Sequence, residues 1–278
     1  MIKNIFFSGG GLKGWAYVGS IRALEEVKEL INLEHVIGTS IGSLFGLLYL
    51  LKIDWKDILD YIININIKEI ADVDIDNILV NQSIMKGHLY KEYAKKLISR
   101  KVNPEVTFME LFTMTGIQFT VNAFNITKSL HEYFNYKLTP DVKVIDAVIA
   151  SSSIPIIFPA YSIGDSYYYD GSICTCHPVE LVDDLGTIIL DLGTYYNNNS
   201  NPTNNNIGNV LYAISTLTSN NINKNFDRYL LFDVIDYRYI NDMVNFDQTK
   251  DDVFNIYIQG YFLTKKLLYN NFIALPPP

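Results

Sequence analysis

Two glycine-rich turns and one Asp-Gly pair hold the residues of this chain whose types and spacing could do chemistry. The second turn reads Gly38-Thr39-Ser40-Ile41-Gly42, a G-x-S-x-G pattern set between the apolar run His35-Val36-Ile37 and the apolar stretch Ile41 to Leu51. A chain that turns from strand to helix over so few residues strains the serine and pushes its hydroxyl into the open. Small residues at Gly38 and Gly42 let the strand and helix approach each other. The serine also stands at a helix N-terminus, where free N–H groups and the helix dipole favour a developing negative charge. Two roles fit Ser40 on these grounds: an acyl-transfer nucleophile, or the cap of the helix that follows.

The first turn reads Gly9-Gly10-Gly11-Leu12-Lys13-Gly14. Three successive glycines leave the backbone bare, so consecutive N–H groups can converge on an anion. Beside a nucleophile this makes an oxyanion hole, with donors around Gly10, Gly11 and Leu12. Gly9, Gly11 and Gly14 also satisfy G-x-G-x-x-G. A dinucleotide site would, however, need an acidic residue at the end of the second strand, where Gly38-Thr39-Ser40 stands and Glu34 marks only the start. A phosphate loop would need Ser or Thr after Lys13, and Gly14 is there instead.

A serine nucleophile needs a base. Of the four histidines, His35 begins the strand that leads into Ser40 and so lies at the wrong end of a sheet. His88, beside Gly87, and His131, beside Glu132, have no glycine or acidic neighbours that look like a site. His177 follows Asp170 by only seven residues, too close for the hydrolase order of Ser, acid and a later His. Asp170-Gly171 remains, at the end of the run Tyr167-Tyr168-Tyr169. Taken alone it reads first as an Asp-Gly hairpin turn and second as a base.

The elements that must position these groups follow from hydrophobic patterning. Asn4 to Ser8 is a short apolar run suited to a strand buried on both faces. Trp15 to Leu30 places Ala16, Ile21, Leu24 and Val27 near one helical face. With His35 to Ile37 and Ile41 to Leu51, the order is strand, helix, strand, helix, which signals a parallel sheet with crossover helices. Both glycine turns then fall at carboxyl ends of strands, where active sites of such sheets collect. Further on, two or three helices are expected between Asp54 and Leu111. Strands are expected at Ile117–Asn125 and Leu130–Phe134, paired with each other, and a helix at Val142–Ser151 that Pro155 stops. Thr187–Leu192 and Tyr229–Val234 read as strands and Asp251–Leu268 as a long helix. The Asn-rich stretch from Tyr195 to Asn206 reads as an exposed loop.

At 278 residues and 49% hydrophobic, the chain can bury one large core, and no linker divides it, so a single domain over 1–278 is expected. A net charge of −8 argues against nucleic acid and against docking on anionic lipid through a polybasic patch. The two cysteines, Cys174 and Cys176, are too close for an ordinary disulfide and read as free thiols. No signal peptide is apparent. The longest apolar run, Ile41 to Leu51, falls short of the roughly 20 residues a bilayer requires. A soluble cytoplasmic protein is expected, with peripheral membrane contact or delivery to a host cell left open.

Taken together, the motifs resemble those of the patatin-like phospholipases, serine lipid acyl hydrolases with a Ser-Asp dyad. Gly9 to Gly14 is similar to the family's G-G-G-x-R/K-G, Gly38 to Gly42 to its nucleophile motif, and Asp170-Gly171-Ser172 to its D-G-G/A. Ala150-Ser151-Ser152-Ser153-Ile154-Pro155 with Phe158-Pro159 is similar to the stretch ahead of that Asp, and Leu192-Gly193-Thr194 to the strand end behind it. The likeness runs from Asn4 to about Thr194, with 207–278 following it only loosely. It implies a three-layer α/β fold with a mainly parallel central sheet flanked by helices. It further implies Ser40 as nucleophile, Asp170 as base, a lipid acyl ester as substrate, and no metal or cofactor. Tyr167 to Tyr169 would give the Asp apolar surroundings, and Ile41–Leu51 with Ile154–Phe158 would line an acyl channel. Three positions depart from the pattern: Ser8 where many members have Asp, Lys13 for the commoner Arg, and Ser172 for Gly or Ala. A catalytically inactive lipid-binding or scaffold protein on the same fold is the alternative reading.

Overall fold

The computed structural model describes residues 1–70, 72–73, 83–175, 178–182, 186–192, 230–234 and 247–273. At its centre β1 (Ile2–Phe7) pairs in parallel with β2 (Ile31–Thr39) on one side and β7 (Thr187–Asp191) on the other. The parallel block continues outward to β3 (Gln118–Asn125) beside β2 and to β8 (Leu230–Asp233) beside β7. Antiparallel strands complete the other end: β4 (Leu130–Phe134) and β6 (Ser166–Asp170) both pair with β3, and β5 (Tyr161–Ile163) pairs with β6. Among the described residues this is one mixed eight-stranded sheet, in path order β5-β6-β3-β2-β1-β7-β8 with β4 on β3.

Alternation along the central strands divides their side chains between two faces. Ile5, Phe7, Val36, Ile188 and Leu190 belong to the main core, while Phe6, Ile37 and Ile189 form a smaller one with Leu181 and Val182 against it. Because both faces are buried, these strands read as continuous apolar runs.

The helices supply the main core. They are α1 (Ala16–Glu25), α2 (Ile41–Leu50), α3 (Trp55–Asn64), α4 (Ile67–Ile70), α5 (His88–Ile98), α6 (Phe108–Thr115), α7 (Val144–Ser151) and α8 (Lys250–Leu268). Asp54 caps α3 by accepting from the Lys56 N–H at 2.8 Å, and α6 and α8 each open on a capping box, Thr107 with Glu110 and Thr249 with Asp252. The Arg22 guanidinium of α1 lies 4.7 Å from the Trp55 ring and 4.0 Å from the Tyr261 ring, and donates to the Tyr257 hydroxyl at 2.8 Å. This cation–π clamp joins α1, α3 and α8.

Several boundaries differ from the sequence reading. The helix expected from Trp15 to Leu30 is a 3-10 turn over Gly11–Trp15 followed by α1, which stops at Glu25. Ile31 already pairs with Ile2 in the sheet, so β2 starts four residues before His35 and takes the chain out of the helix. Four helices rather than two or three occupy the described residues between Asp54 and Thr115. The strand β5 was not anticipated, being only three residues long. Cys176, His177, Gly193, Thr194 and the Asn-rich stretch lie outside the described residues.

Candidate active site

Ser40 stands between the last residue of β2 and the first of α2, at φ 54° and ψ −132°. A side chain with positive φ costs on the order of 1–3 kcal/mol and persists only where its surroundings over-determine it. Here the Ser40 N–H donates to the Ser151 Oγ at 2.8 Å, and the Ser40 carbonyl accepts from the Ser43 N–H at 2.8 Å and the Ser43 hydroxyl at 2.6 Å. The flanking glycines are required by close approach. A Cβ at position 42 would fall 2.2 Å from the Phe7 carbonyl oxygen and one at position 38 would fall 2.3 Å from the Ser43 Cα.

Asp170 ends β6. Its backbone N–H donates to the Ser153 carbonyl at 2.9 Å. Its carboxylate accepts from the Ser40 hydroxyl at 2.5 Å through Oδ2 and from the Ser172 N–H at 2.8 Å through Oδ1. Both Ser40 and Asp170 are buried. Burial pushes the Asp170 carboxyl up to about 6, against the opposing effect of the Ser40 and Ser172 hydrogen bonds, which favour the charged form.

The two side chains meet because of a change of partner along β3. Residues 121 and 122 pair with both β2 and β4, whereas 123 to 125 pair with both β4 and β6. From Val121 to Asn125 one edge of β3 therefore faces β4, while the other edge passes from β2 to β6. Thr39 is the register partner of Asn122 and Asp170 that of Ala123, so the end of β2 and the end of β6 come together at adjacent residues.

The glycine turn after β1 closes a third side. A Cβ on Gly9 would lie 3.2 Å from the Ser40 Cβ and 2.4 Å from the Ser172 Oγ, so only a bare backbone fits against the serine. Gly10 precedes a helical turn that begins at Gly11, and the first N–H groups of such a turn have no partner within it. The loop is anchored at Leu192. The Leu192 carbonyl accepts from the buried Lys13 ammonium at 2.6 Å, and its N–H donates to the Ser8 Oγ at 3.0 Å. Two departures from the resembled pattern, Ser8 and Lys13, thus converge on one residue. Lys13 is an anchor here, and Gly14 packs on Ile41, where a Cβ would meet its Cγ1 at 2.6 Å.

Other candidates fall elsewhere. The buried His35 ring lies 2.8 Å from the Thr120 hydroxyl, and burial pushes its pKa down to about 4. His88 begins α5, and His131 accepts from the Asn122 amide at 3.0 Å. Burial raises the Cys174 thiol, which is half-buried. The tyrosines before Asp170 do not enclose it as expected: Tyr167 is exposed, and Tyr168 donates to the Glu132 carboxylate at 2.8 Å. Strand alternation sends neighbouring side chains to opposite faces. The carboxylate is bonded by Ser40 and Ser172, while the Ser153 carbonyl accepts from the Asp170 backbone N–H. Helix α2 belongs to the main core. In the other expected channel segment, Ile157 is buried, Ile156 is exposed at φ 72°, and Phe158 stacks on Tyr90 with ring centroids 5.9 Å apart. Asn122 was not singled out in the sequence, and Ser151 only as one member of the serine run ahead of Asp170, with no role given to it. Their only signal there is polarity inside otherwise apolar elements.

The sequence and the fold have counterparts. A family model described as patatin-like phospholipase matches residues 5–183. The chain is 24% identical over 266 residues to a probable lipid hydrolase of Invertebrate iridescent virus 6, covering 91% of this chain and 85% of that protein. It is 33% identical over 115 residues to a putative patatin-like phospholipase domain-containing protein of Caenorhabditis elegans, covering 40% of this chain and 10% of that protein. Among solved structures, VipD from Legionella pneumophila superposes with a TM-score of 0.59 at 17% identity, covering 97% of this chain and 67% of VipD. The type III effector protein ExoU superposes at 0.55 and 16% identity, covering 98% of this chain and 54% of ExoU. Likeness at these identities speaks for the fold. Among the described residues no helix is long and apolar enough to cross a membrane.

Proposed function

This chain belongs to the patatin-like phospholipase family, and from that premise we propose that it is a serine hydrolase that cleaves acyl esters of lipids through Ser40 and Asp170. The observation that carries the reading is the 2.5 Å hydrogen bond from the Ser40 hydroxyl to the Asp170 carboxylate, made on a strained turn beside a bare glycine backbone. As the Ser40 oxygen attacks the ester carbonyl carbon, its proton passes to Asp170 Oδ2. The tetrahedral oxyanion is held by N–H groups of Gly10, Gly11 and Leu12, where one such donor typically contributes about 3 kcal/mol to the transition state. Collapse breaks the ester C–O bond, and Asp170 returns the proton to the departing alcohol. Water, deprotonated by Asp170, then attacks the acyl-serine carbonyl; the bond to the Ser40 oxygen breaks, Asp170 returns the proton to that oxygen, and the carboxylic acid is released.

An ordinary aspartate is a poor base at neutral pH. With its pKa near 6, Asp170 is a stronger base, yet about nine in ten copies are ionised at pH 7. No step requires a metal or cofactor. The lipid substrate implies transient contact with a membrane surface.

Purified protein incubated with phospholipid vesicles or a p-nitrophenyl acyl ester should release fatty acid or p-nitrophenol. Ser40→Ala and Asp170→Asn should each abolish turnover with the fold retained. Full activity in either folded variant would refute the dyad.

A further inference from the structure

The side chain of Asn122 is a polar group in the interior of the sheet, fully buried, on the strand where β2 hands over to β6. A buried amide is costly unless every atom is hydrogen-bonded, so its partners indicate what holds it there. Its Oδ1 accepts from the Thr39 hydroxyl at 2.6 Å. Its Nδ2 lies 3.1 Å from the Thr175 carbonyl, 3.4 Å from the Gly171 carbonyl and 3.0 Å from the His131 Nε2. Carbonyl oxygens only accept, so the two of them fix Nδ2 on that side and leave Oδ1 for Thr39. The His131 Nε2 accepts as well.

Thr39 immediately precedes Ser40, and Gly171 immediately follows Asp170. The contact with the second is tight: a Cβ on Gly171 would fall 2.4 Å from the Asn122 carbonyl oxygen and 2.7 Å from its Nδ2. One rigid amide therefore spans the two turns that present the hydroxyl and the carboxylate. Neither backbone ladder does this. The ladder from β3 to β2 ends at Asn122, and the ladder to β6 begins at Ala123.

We infer that Asn122 is a positioning residue whose amide braces the Thr39 side of the serine turn against the Gly171 side of the aspartate turn and so sets the Ser40–Asp170 separation. The inference deepens the dyad reading and rests on it for its kinetic consequence. A misplacement of about 1 Å between reacting groups can cost on the order of a hundredfold in rate.

The test uses Asn122→Leu, which keeps the volume and removes the amide, together with Thr39→Val and Thr39→Ser in the full chain. Asn122→Leu and Thr39→Val should fold and lower kcat for a p-nitrophenyl ester by about ten- to a hundredfold, with KM changed by no more than about twofold. Fluorophosphonate labelling of Ser40 should slow by the same factor. Thr39→Ser should restore near wild-type turnover, and the double variant Thr39→Val/Asn122→Leu should be no worse than the poorer single one. A crystal structure of Asn122→Leu should show the Ser40–Asp170 oxygens beyond hydrogen-bond distance. Unchanged kcat in a folded variant, a loss confined to KM, or an unaltered 2.5 Å contact would overturn the inference. Should Asn122→Leu not fold, Thr39→Val decides by the same readouts. If the wild type itself shows no turnover that depends on Ser40, the hydrolase reading fails, and the oxygen–oxygen distance in the variant still decides the role of Asn122.

Discussion

The Lys13 ammonium donates to the Leu192 carbonyl at 2.6 Å, tying the glycine turn after β1 to the end of β7. The bond joins the loop that carries the proposed oxyanion donors to a neighbouring strand, so the loop's position depends on a buried cation. Lys13→Met keeps the length and apolar stem and loses the donor. Its expected effect is a fall in kcat of roughly tenfold or more, with a loss of about 1–3 kcal/mol in stability. Steady-state kinetics and urea titration of the same preparation check it, and wild-type kcat in a folded Lys13→Met protein would count against the anchor.

The pH profile of hydrolysis should report Asp170. A base must be ionised to act, so kcat/KM should rise with unit slope below pH 6 and level off above it. The Ser172 side chain hydrogen-bonds the carboxylate and lowers its pKa, so Ser172→Ala should move the midpoint upward. Measuring kcat/KM from pH 4 to 9 for both proteins tests this. A plateau that extends below pH 5 in the wild type would contradict it.

Stability should respond to the same group with a defined sign. The folded pKa of about 6 stands above the ordinary value of 3.8, so between these the folded state binds more protons than the unfolded. Stability from this group is fully present below about pH 4 and is lost as pH rises through 6, the loss amounting to roughly 3 kcal/mol. Asp170→Asn should therefore gain in melting temperature over wild type at pH 8, relative to the difference between them at pH 4.5. Paired thermal melts at the two pH values decide it. A relative gain at the acidic end would reverse the assignment.

Ser151→Ala removes the acceptor of the Ser40 N–H and leaves a buried donor unpaired, at a cost of about 1–3 kcal/mol. The same bond holds the serine at positive φ, so the loss should appear in turnover as well as in melting temperature. Ser151→Thr, which keeps a hydroxyl, should recover part of both. Calorimetry and ester hydrolysis on the three proteins provide the check.

Gly42→Ala should not yield folded protein, because its Cβ would meet the Phe7 and Ser8 carbonyl oxygens at 2.2 and 2.4 Å, both backbone atoms that side-chain motion cannot clear. Gly116→Ala is the control. That site is open and has only its positive φ to pay for, about 1 kcal/mol, so it should fold and melt slightly lower. Soluble expression and circular dichroism separate the outcomes.

Much of the site was legible because its signals are local. The glycines at fixed offsets around Ser40 with an apolar run on either side, and Asp170 at the end of a strand, are each readable within a few residues of their own position. The end of α1 was not, because Ile31 leaves the helix to pair with Ile2, a partner 29 positions away that no window contains. Nor were the roles of Ser151 and Asn122, which reach Ser40 and Thr39 across separations of 111 and 83 residues. Lys13 stood out only as a departure from the commoner Arg, because its depth and its acceptor on Leu192 are properties of the folded chain. A buried polar side chain looks the same in sequence as a solvated one; only its partners distinguish them.

The divided edge of β3 has a consequence for the newborn chain. Emerging from the ribosome, the polypeptide can lay β1, β2 and β3 side by side and form the serine turn while the strand that completes the edge is still unmade. On the proposed mechanism, a fragment ending anywhere before β6 would carry the hydroxyl without Asp170 to accept its proton, and would cleave no lipid until synthesis has passed Asp170.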